Sequence, residues 1–334
     1  MKRREFITLL SGAAVAWPLA ARAQQAGKVY RIGFLGNSTA ALEANLVGPF
    51  REDLRDLGYV EGQNILIEYR WAEGEYERFP ALTAELIALK VDVIVTAGTP
   101  ASLAVKKAAT SIPLVMVAVG DPVATGLVAS LGRPGGNITG LTSISSEMEG
   151  KRLELLREVV PKISHIAVLW NAASPIQVIE EREVRAAAQI SGMKMLSLGV
   201  RTIEEIEDAL TTIVRERPGA LLVLADRLFL HHRTRIMDFA AQRRLPGVHA
   251  YRELVEAGGL MSYGPSYADM HRRAASYVDR IPARFHHAAR RRRGVAICHE
   301  GYSCSACLLR SKRRKLLSAN GRRRAQKILK SLCG

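Results

Sequence analysis

Residues Val91–Thr142 read VDVIVTAGTPASLAVKKAATSIPLVMVAVGDPVATGLVASLGRPGGNITGLT, and this stretch decides the fold. It contains two short apolar runs rich in β-branched residues, Val93–Thr96 and Leu114–Val119. Runs this short and this apolar are typical of strands buried on both faces of a parallel sheet. Turn residues follow each run, first Gly98-Thr99-Pro100 and then Gly120-Asp121-Pro122. The two turns are therefore expected side by side at the carboxyl ends of neighbouring strands, where open α/β sheets form their ligand crevice.

The same turns predict two helices. Thr99 has the character of an N-cap, with Pro100 in the first helical position of a helix that continues through Ala109. Asp121 is the corresponding cap of a second helix, Val123–Leu131, which ends in a loop rich in glycine and proline.

The formal net charge of +16 is concentrated at the two ends of the chain. Residues 282–334 carry 15 Lys and Arg against one acid, Glu300, and the first 23 residues carry four against one. Residues 24–281 have 29 basic and 30 acidic side chains, so this central part is close to neutral. All four cysteines lie beyond residue 297, and a body without cysteine is compatible with export and with the cytosol.

Residues 1–23 have the organisation of an export signal. The basic start Lys2-Arg3-Arg4 precedes a modestly apolar segment, Ile7–Leu19, and the small-x-small site Ala21-Arg22-Ala23. The paired arginines resemble a twin-arginine signal, and an ordinary secretory signal is the alternative. The apolar segment is too short to span a bilayer, and we expect a mature protein that begins near Gln24.

Strands and helices alternate through the body of the chain, which indicates an α/β protein with two lobes. We expect an N-terminal α/β lobe over residues 24–142 and a C-terminal α/β lobe over residues 143–263. Residues 264–281 read as a helix that returns towards the hinge, and residues 282–334 as a basic, disordered or irregular tail.

Three motifs, in this order along the chain, resemble the substrate-binding proteins of ABC transporters of the tryptophan/tyrosine-binding type. They are Gly120–Val123, Leu131–Gly140 (LGRPGGNITG) and Glu256–Pro265 (EAGGLMSYGP), within a resemblance that covers about Lys28–Ile281. The resemblance implies the type I periplasmic-binding-protein fold, in which two Rossmann-like lobes and a hinge close on a ligand. It also implies a periplasmic, non-enzymatic monomer without a cofactor. Its partners would be a small solute, possibly an aromatic amino acid, and a membrane permease, with no specific nucleic acid.

The resemblance ends at Ile281, where the composition becomes basic and rich in cysteine. We interpret residues 282–334 as a frameshifted reading of the family's usual C-terminus, and we expect a less stable chain than a complete relative. Cys298, His299, Cys304 and Cys307 imitate zinc-ligand spacing within this segment, and we assign them no metal.

The predicted ligand-binding residues are polar or aromatic side chains that follow strands or begin helices: Asn37, Ser38, Thr99, Pro100, Ser102, Asp121, Asn171, Asp226, Tyr251 and Tyr263. The helix start at Thr99–Ser102 suits a carboxylate, Asp121 suits an ammonium group, and the two tyrosines suit an aromatic ring. For each residue, helix capping, loop hydrogen bonding or core packing is the alternative role.

Two other functions are open at this point. A doubly wound α/β enzyme acting on a small metabolite would need an acid–base pair in the cleft, for which Asp121 and Asp226 are the candidates. A nucleic-acid binder would act through the arginine-rich tail, with steep salt dependence.

Overall fold

The computed structural model describes residues 29–285, together with 307–308 and 327. The N-terminal lobe is built on a parallel sheet of five strands in the order β2-β1-β3-β4-β5. The strands are β1 (Tyr30–Gly36), β2 (Ile65–Trp71), β3 (Val93–Ala97), β4 (Leu114–Val119) and β5 (Ile138–Thr142).

Three α-helices connect these strands: α1 (Ala44–Asp56), α2 (Phe79–Ala88) and α3 (Thr99–Lys107), with a single 3₁₀ turn at Tyr76–Arg78. Side chains that alternate along a strand enter different cores. Phe34 packs with α1 residues such as Phe50, whereas its neighbour Leu35 packs with α2 residues such as Leu86. The sheet is therefore covered on both faces, as the apolar runs predicted.

The C-terminal lobe is also α/β. It contains the strands β6 (His165–Asn171), β7 (Lys194–Val200) and β8 (Ala220–Val223), which pair in parallel in the order β7-β6-β8. Beside β8 lie the short strands β9 (Val248–His249) and β10 (Met261–Ser262), to which β11 (Cys307–Leu308) adds in antiparallel. Its helices are α4 (Ser145–Val159), α5 (Pro175–Ile190), α6 (Ile203–Glu216), α7 (Arg227–His231), α8 (Arg233–Gln242) and α9 (Arg252–Glu256).

The last long helix, α10 (Tyr267–Phe285), leaves the C-terminal lobe and packs on α1, β4 and β5 of the N-terminal lobe. Tyr277 and Val278 join Phe50 and Leu54 in one apolar core. The chain thus passes between the lobes at Ser143 and again just before Tyr267. The helix ends four residues beyond the predicted boundary at Ile281, and the predicted export signal at residues 1–23 lies outside the described residues.

The structure corrects two predictions near the sheet edge. The predicted helix Val123–Leu131 is wrong, because this segment forms turns and Gly126 has φ +69°. The predicted N-cap at Thr99 is also wrong: Gly98, with φ +81°, is the cap residue, and Thr99 is already the first helical residue. Glycine adopts this backbone conformation at little cost, which explains why the turn uses it.

No helix within residues 29–285 is both long enough and apolar enough to cross a lipid bilayer.

Candidate functional site

A cavity lies between the two lobes at the carboxyl ends of β3, β4 and β8. Its volume is about 400 Å³ including the opening to solvent. Side chains of the two lobes are hydrogen-bonded to each other around it, so entry of a larger solute requires that the lobes separate. Both lobes, the connection between them and the start of α10 contribute lining residues: Asn37, Tyr76, Gly98, Thr99, Pro100, Ala118, Gly120, Ser143, Ser145, Ser174, Ile176, Glu180, Ala225, Asp226, Arg227, Tyr251 and Tyr267.

Five of the ten sequence-predicted residues line this cavity: Asn37, Thr99, Pro100, Asp226 and Tyr251. Asn37 follows β1 and donates its side-chain amide to the Ala97 carbonyl, which leaves Oδ1 buried without a partner in the protein. The Thr99 hydroxyl accepts the backbone N–H of Gly120 at 3.1 Å, so it ties α3 to the end of β4.

Asp226 is the centre of a hydrogen-bond network that spans both lobes. Its Oδ1 accepts from the hydroxyl of Tyr76 at 2.6 Å, from Asn171 Nδ2 at 3.0 Å and from the backbone N–H of Leu228 at 2.9 Å. The last of these bonds caps α7. Asp226 therefore fixes the C-terminal wall of the cavity and also binds the N-terminal lobe.

The positive charge in the cavity wall belongs to Arg227. Its guanidinium lies 5.3 Å from the ring centroid of Tyr251 and 5.4 Å from that of Tyr267, in cation–π geometry with both. The side chain is buried, and Nη1 has no hydrogen-bond partner in the protein. A buried guanidinium with a free donor is suited to an anionic group of a ligand.

The other five predicted residues lie outside the cavity lining. The hydroxyls of Ser38 and Ser102 bond to His231 and to Thr96, respectively, and Asn171 supports Asp226 from behind. The remaining two take structural contacts: Asp121 accepts the backbone N–H groups of Val123 and Ala124, and the carbonyl of Tyr263 accepts from Arg152. Since Asp121 does not line the cavity that Asp226 lines, the acid–base pair required by the enzyme alternative is not brought together.

Sequence reasoning missed seven polar or aromatic lining residues: Tyr76, Ser143, Ser145, Ser174, Glu180, Arg227 and Tyr267. Arg227 directly follows Asp226, so a search that included one more residue after each strand end would have found it. Glu180 lies in the second turn of α5, and no local pattern separates it from a surface glutamate.

Among the residues that the structure describes, three side-chain hydrogen bonds connect the lobes around the cavity. They join Ser38 Oγ to His231 Nδ1 at 3.1 Å, Asn45 Nδ2 to Glu253 Oε1 at 2.7 Å, and the Tyr76 hydroxyl to Asp226 at 2.6 Å. In each pair the first residue belongs to the N-terminal lobe. Closure is thus held by side chains at the rim and within the cavity.

Within the described part of the chain, no group of three or more His, Cys, Asp or Glu side chains is placed to hold a metal ion.

Comparisons with known proteins identify the family. The sequence profile of the ABC transporter substrate binding proteins matches residues 38–283. The chain belongs to this family. A tyrosine-binding protein of Clostridioides difficile is 29% identical over 218 residues, which are 65% of this chain and 62% of that protein's length. The chain thus aligns with less than two thirds of this relative.

Solved structures share the fold of this chain. A conserved domain protein from Vibrio cholerae is 26% identical, with a TM-score of 0.72 over 77% of this chain and 86% of the other. An ABC domain from Streptococcus pneumoniae in complex with L-Trp is 22% identical, with a TM-score of 0.70 over 76% and 85%. The expected two-lobed fold of type I periplasmic binding proteins is confirmed.

In this member of the family, burial shifts the ionisable groups of the cavity. Burial raises the pKa of Asp226, and the hydrogen bonds from Asn171 and Tyr76 oppose that shift. Burial also raises the pKa of Tyr267 to about 12 and that of Tyr76 well above its ordinary value of 10, so both hydroxyls stay protonated at neutral pH. Burial, and then the nearby Glu149, raise the pKa of Glu180 well above 4.5.

Proposed function

We propose that this chain is the solute-binding component of an ABC uptake system, and that it binds an amino acid with an aromatic side chain between its lobes. Four unpartnered polar atoms in the buried cavity wall carry the proposal: Asn37 Oδ1, Ser174 Oγ, Glu180 Oε2 and Arg227 Nη1. Buried polar atoms are rarely left unpaired in proteins, so several in one cavity point to a ligand that completes their bonds.

The chemistry of these atoms suits a zwitterion. Arg227 supplies a cation for the carboxylate, and the N-terminus of α3 adds its positive end close by. Asn37 and Glu180 supply acceptors for an ammonium group. Tyr76, Tyr251 and Tyr267 supply aromatic surface for a planar side chain.

The comparisons support the same ligand class. The relative from Clostridioides difficile is a tyrosine-binding protein, and the Streptococcus pneumoniae structure was solved with L-Trp. We extend both to this chain as the proposal that tyrosine or tryptophan is bound. For the cellular setting we propose export directed by residues 1–23 and, as the family implies, a periplasmic monomer that delivers the solute to a membrane permease.

A thermal-shift and calorimetric screen of the full chain tests the proposal. L-tryptophan, L-tyrosine and L-phenylalanine are compared with L-leucine, L-glutamate and ribose. At a ligand concentration 100 times Kd, an aromatic amino acid stabilises the folded protein by about 2.7 kcal/mol, which raises Tm by roughly 5 °C or more.

Arg227→Met should abolish that shift, because it removes the cation but keeps much of the apolar stem between the tyrosines. Arg243→Met is the control, since Arg243 is exposed at the end of α8. Failure of every amino acid to raise Tm, or full binding by the Arg227 variant, would refute the proposal.

A further inference from the structure

A buried cluster of charged side chains lies behind the C-terminal wall of the cavity. Glu149 and Arg152 on α4 and Glu180 on α5 are all 0% exposed. Arg152 is hydrogen-bonded to Glu149, and its Nε donates to the Tyr263 carbonyl at 2.8 Å. Of the three, only Glu180 lines the cavity. The cluster thus contains two carboxyl groups and one cation, and its excess acid faces the ligand space.

The hydrogen bonds of Glu180 leave one oxygen for a ligand. Its Oε1 accepts from the hydroxyl of Ser145, and its Oε2 is buried without a partner in the protein. The other cavity acid differs, because Asp226 already accepts three donors on a single oxygen. An ammonium group that enters the cavity therefore finds buried, unpartnered acceptors in Asn37 Oδ1 and Glu180 Oε2, and of these two only Glu180 is a carboxyl group that can carry the opposite charge.

We infer that Glu180 is the specificity-determining residue of this site, and that it receives the ammonium group of the solute and so excludes deaminated acids of the same shape. The inference rests on the proposed function, since it assigns a protein partner to the ammonium group of the proposed zwitterionic ligand. A site built to pair with a particular polar group rejects analogues that lack it, because its own buried group is then left unpaired.

Binding at Glu180 also moves a proton. The titratable or charged groups that face it are Glu149 and Arg152 on α4, Asp226 before α7, and Tyr267 on α10. Burial and Glu149 raise its pKa, and an adjacent ammonium lowers it. Ammonium binding therefore shifts the equilibrium of Glu180 from the carboxylic acid towards the carboxylate, and a proton displaced in this way goes to solvent. Affinity should rise as the pH rises through the raised pKa of the free site.

The experiment compares L-tryptophan with indole-3-propionate, which lacks only the amino group. Isothermal titration is performed at pH 6, 7 and 8, in buffers of different ionisation enthalpy, so that proton release is measured on the wild type itself. We expect wild type to prefer tryptophan by about 30-fold or more, with net proton release.

Glu180→Gln should lose about 30-fold or more in tryptophan affinity, keep its affinity for indole-3-propionate, and lose the proton release. Glu181→Gln is the matched control, because Glu181 is the next residue on α5 but its carboxylate accepts from Arg185 and Ser197 outside the cavity. It should bind both compounds as wild type does.

The outcomes separate the two proposals. Equal affinity of wild type for the two compounds, or an equal loss of both in Glu180→Gln, overturns the role of Glu180 and leaves the ligand site between the lobes standing. If wild type binds neither compound nor any other amino acid of the screen, the proposed function falls, and the assignment of Glu180 falls with it.

Discussion

Acid should destabilise this protein through two buried histidines, of which His271 is the clearer case. His271 lies on α10 and is 0% exposed; its Nδ1 donates to the Tyr267 carbonyl at 2.8 Å, while its Nε2 is buried without a partner. Protonation would place a charged N–H at Nε2 with no acceptor. Burial, and then the charge of Arg227, lower the pKa of His271 from 6.5 to about 3. Burial, and then the charge of Arg152, lower the pKa of His249 from 6.5 to about 4.

The sign and size of the effect follow from these values. Each histidine is neutral in the folded protein, and the unfolded chain takes up a proton as the pH falls below 6.5. Stability is therefore full above pH 6.5 and is lost as the pH falls towards the folded pKa. Between pH 7 and pH 5 the free energy of unfolding should fall by about 2 kcal/mol for each histidine.

Urea unfolding at pH 7 and at pH 5 measures this loss. His271→Gln keeps a polar side chain but cannot titrate, so its loss between the two pH values should be about 2 kcal/mol smaller than that of wild type. His249→Gln should show the same difference from wild type. In the double variant the fall in the free energy of unfolding between pH 7 and pH 5 should be about 4 kcal/mol smaller than in wild type. The comparison uses the difference between pH values, so a general loss of stability in a variant does not disturb it.

His165→Gln is the control, because His165 is partly exposed and sits at the start of β6. The fall in the free energy of unfolding of this variant between pH 7 and pH 5 should stay much closer to that of wild type. The reasoning is refuted if His271→Gln loses as much stability as wild type over this range.

Two further pairs of substitutions test the closure of the lobes and the need for glycine at position 140. Tyr76→Phe removes the bond to Asp226, worth about 1.5–3 kcal/mol, so calorimetry should show ligand affinity reduced about tenfold or more. The control Tyr59→Phe removes the 2.9 Å bond to Asp279, which lies on the N-terminal lobe's side, and it should lower Tm without changing ligand affinity. Unchanged ligand affinity in Tyr76→Phe would contradict the proposed role of its bond to Asp226. Gly140→Ala places a Cβ 1.9 Å from the Met116 carbonyl oxygen at φ +138°, and urea unfolding should show a loss of more than about 3 kcal/mol. Gly150→Ala in α4 meets nothing within 4 Å and should gain about 0.5–1 kcal/mol, so equal stability of the two variants would argue against this account.

Much of the fold could be predicted because its signals are local. The strand Leu114–Val119 has the predicted bounds, and the neighbouring strand β3 begins at Val93, as its apolar run predicted. The prediction of a helix after Asp121 failed, because the Asp121 side chain accepts backbone N–H groups as a cap does but no helix follows it. The carboxylate accepts two backbone N–H groups there, and Gly126 then turns the chain out of helical geometry.

The candidate site was predicted only where it coincides with strand ends. Asn37, Thr99 and Asp226 follow strands and line the cavity. Tyr76 begins the 3₁₀ turn after β2 and reaches Asp226 only because the two lobes close on each other. Glu180 comes from the second turn of a helix, and its place in the wall depends on the packing of α5 against α4. Neither relation is encoded in neighbouring residues, so periodicity and motif spacing do not reveal it.

The return of α10 to the first lobe makes the second lobe an insertion within the first. During synthesis, the strands and helices before Ser143 emerge while the faces of α1 and β4 that α10 covers are still bare. They stay so until Tyr277 and Val278 have been added, after strands β6 to β10 of the second lobe. The lobe that is translated first thus completes its core only after most of the second lobe has been made, and a nascent or truncated chain that stops short of α10 exposes apolar surface on a lobe whose five strands are already present.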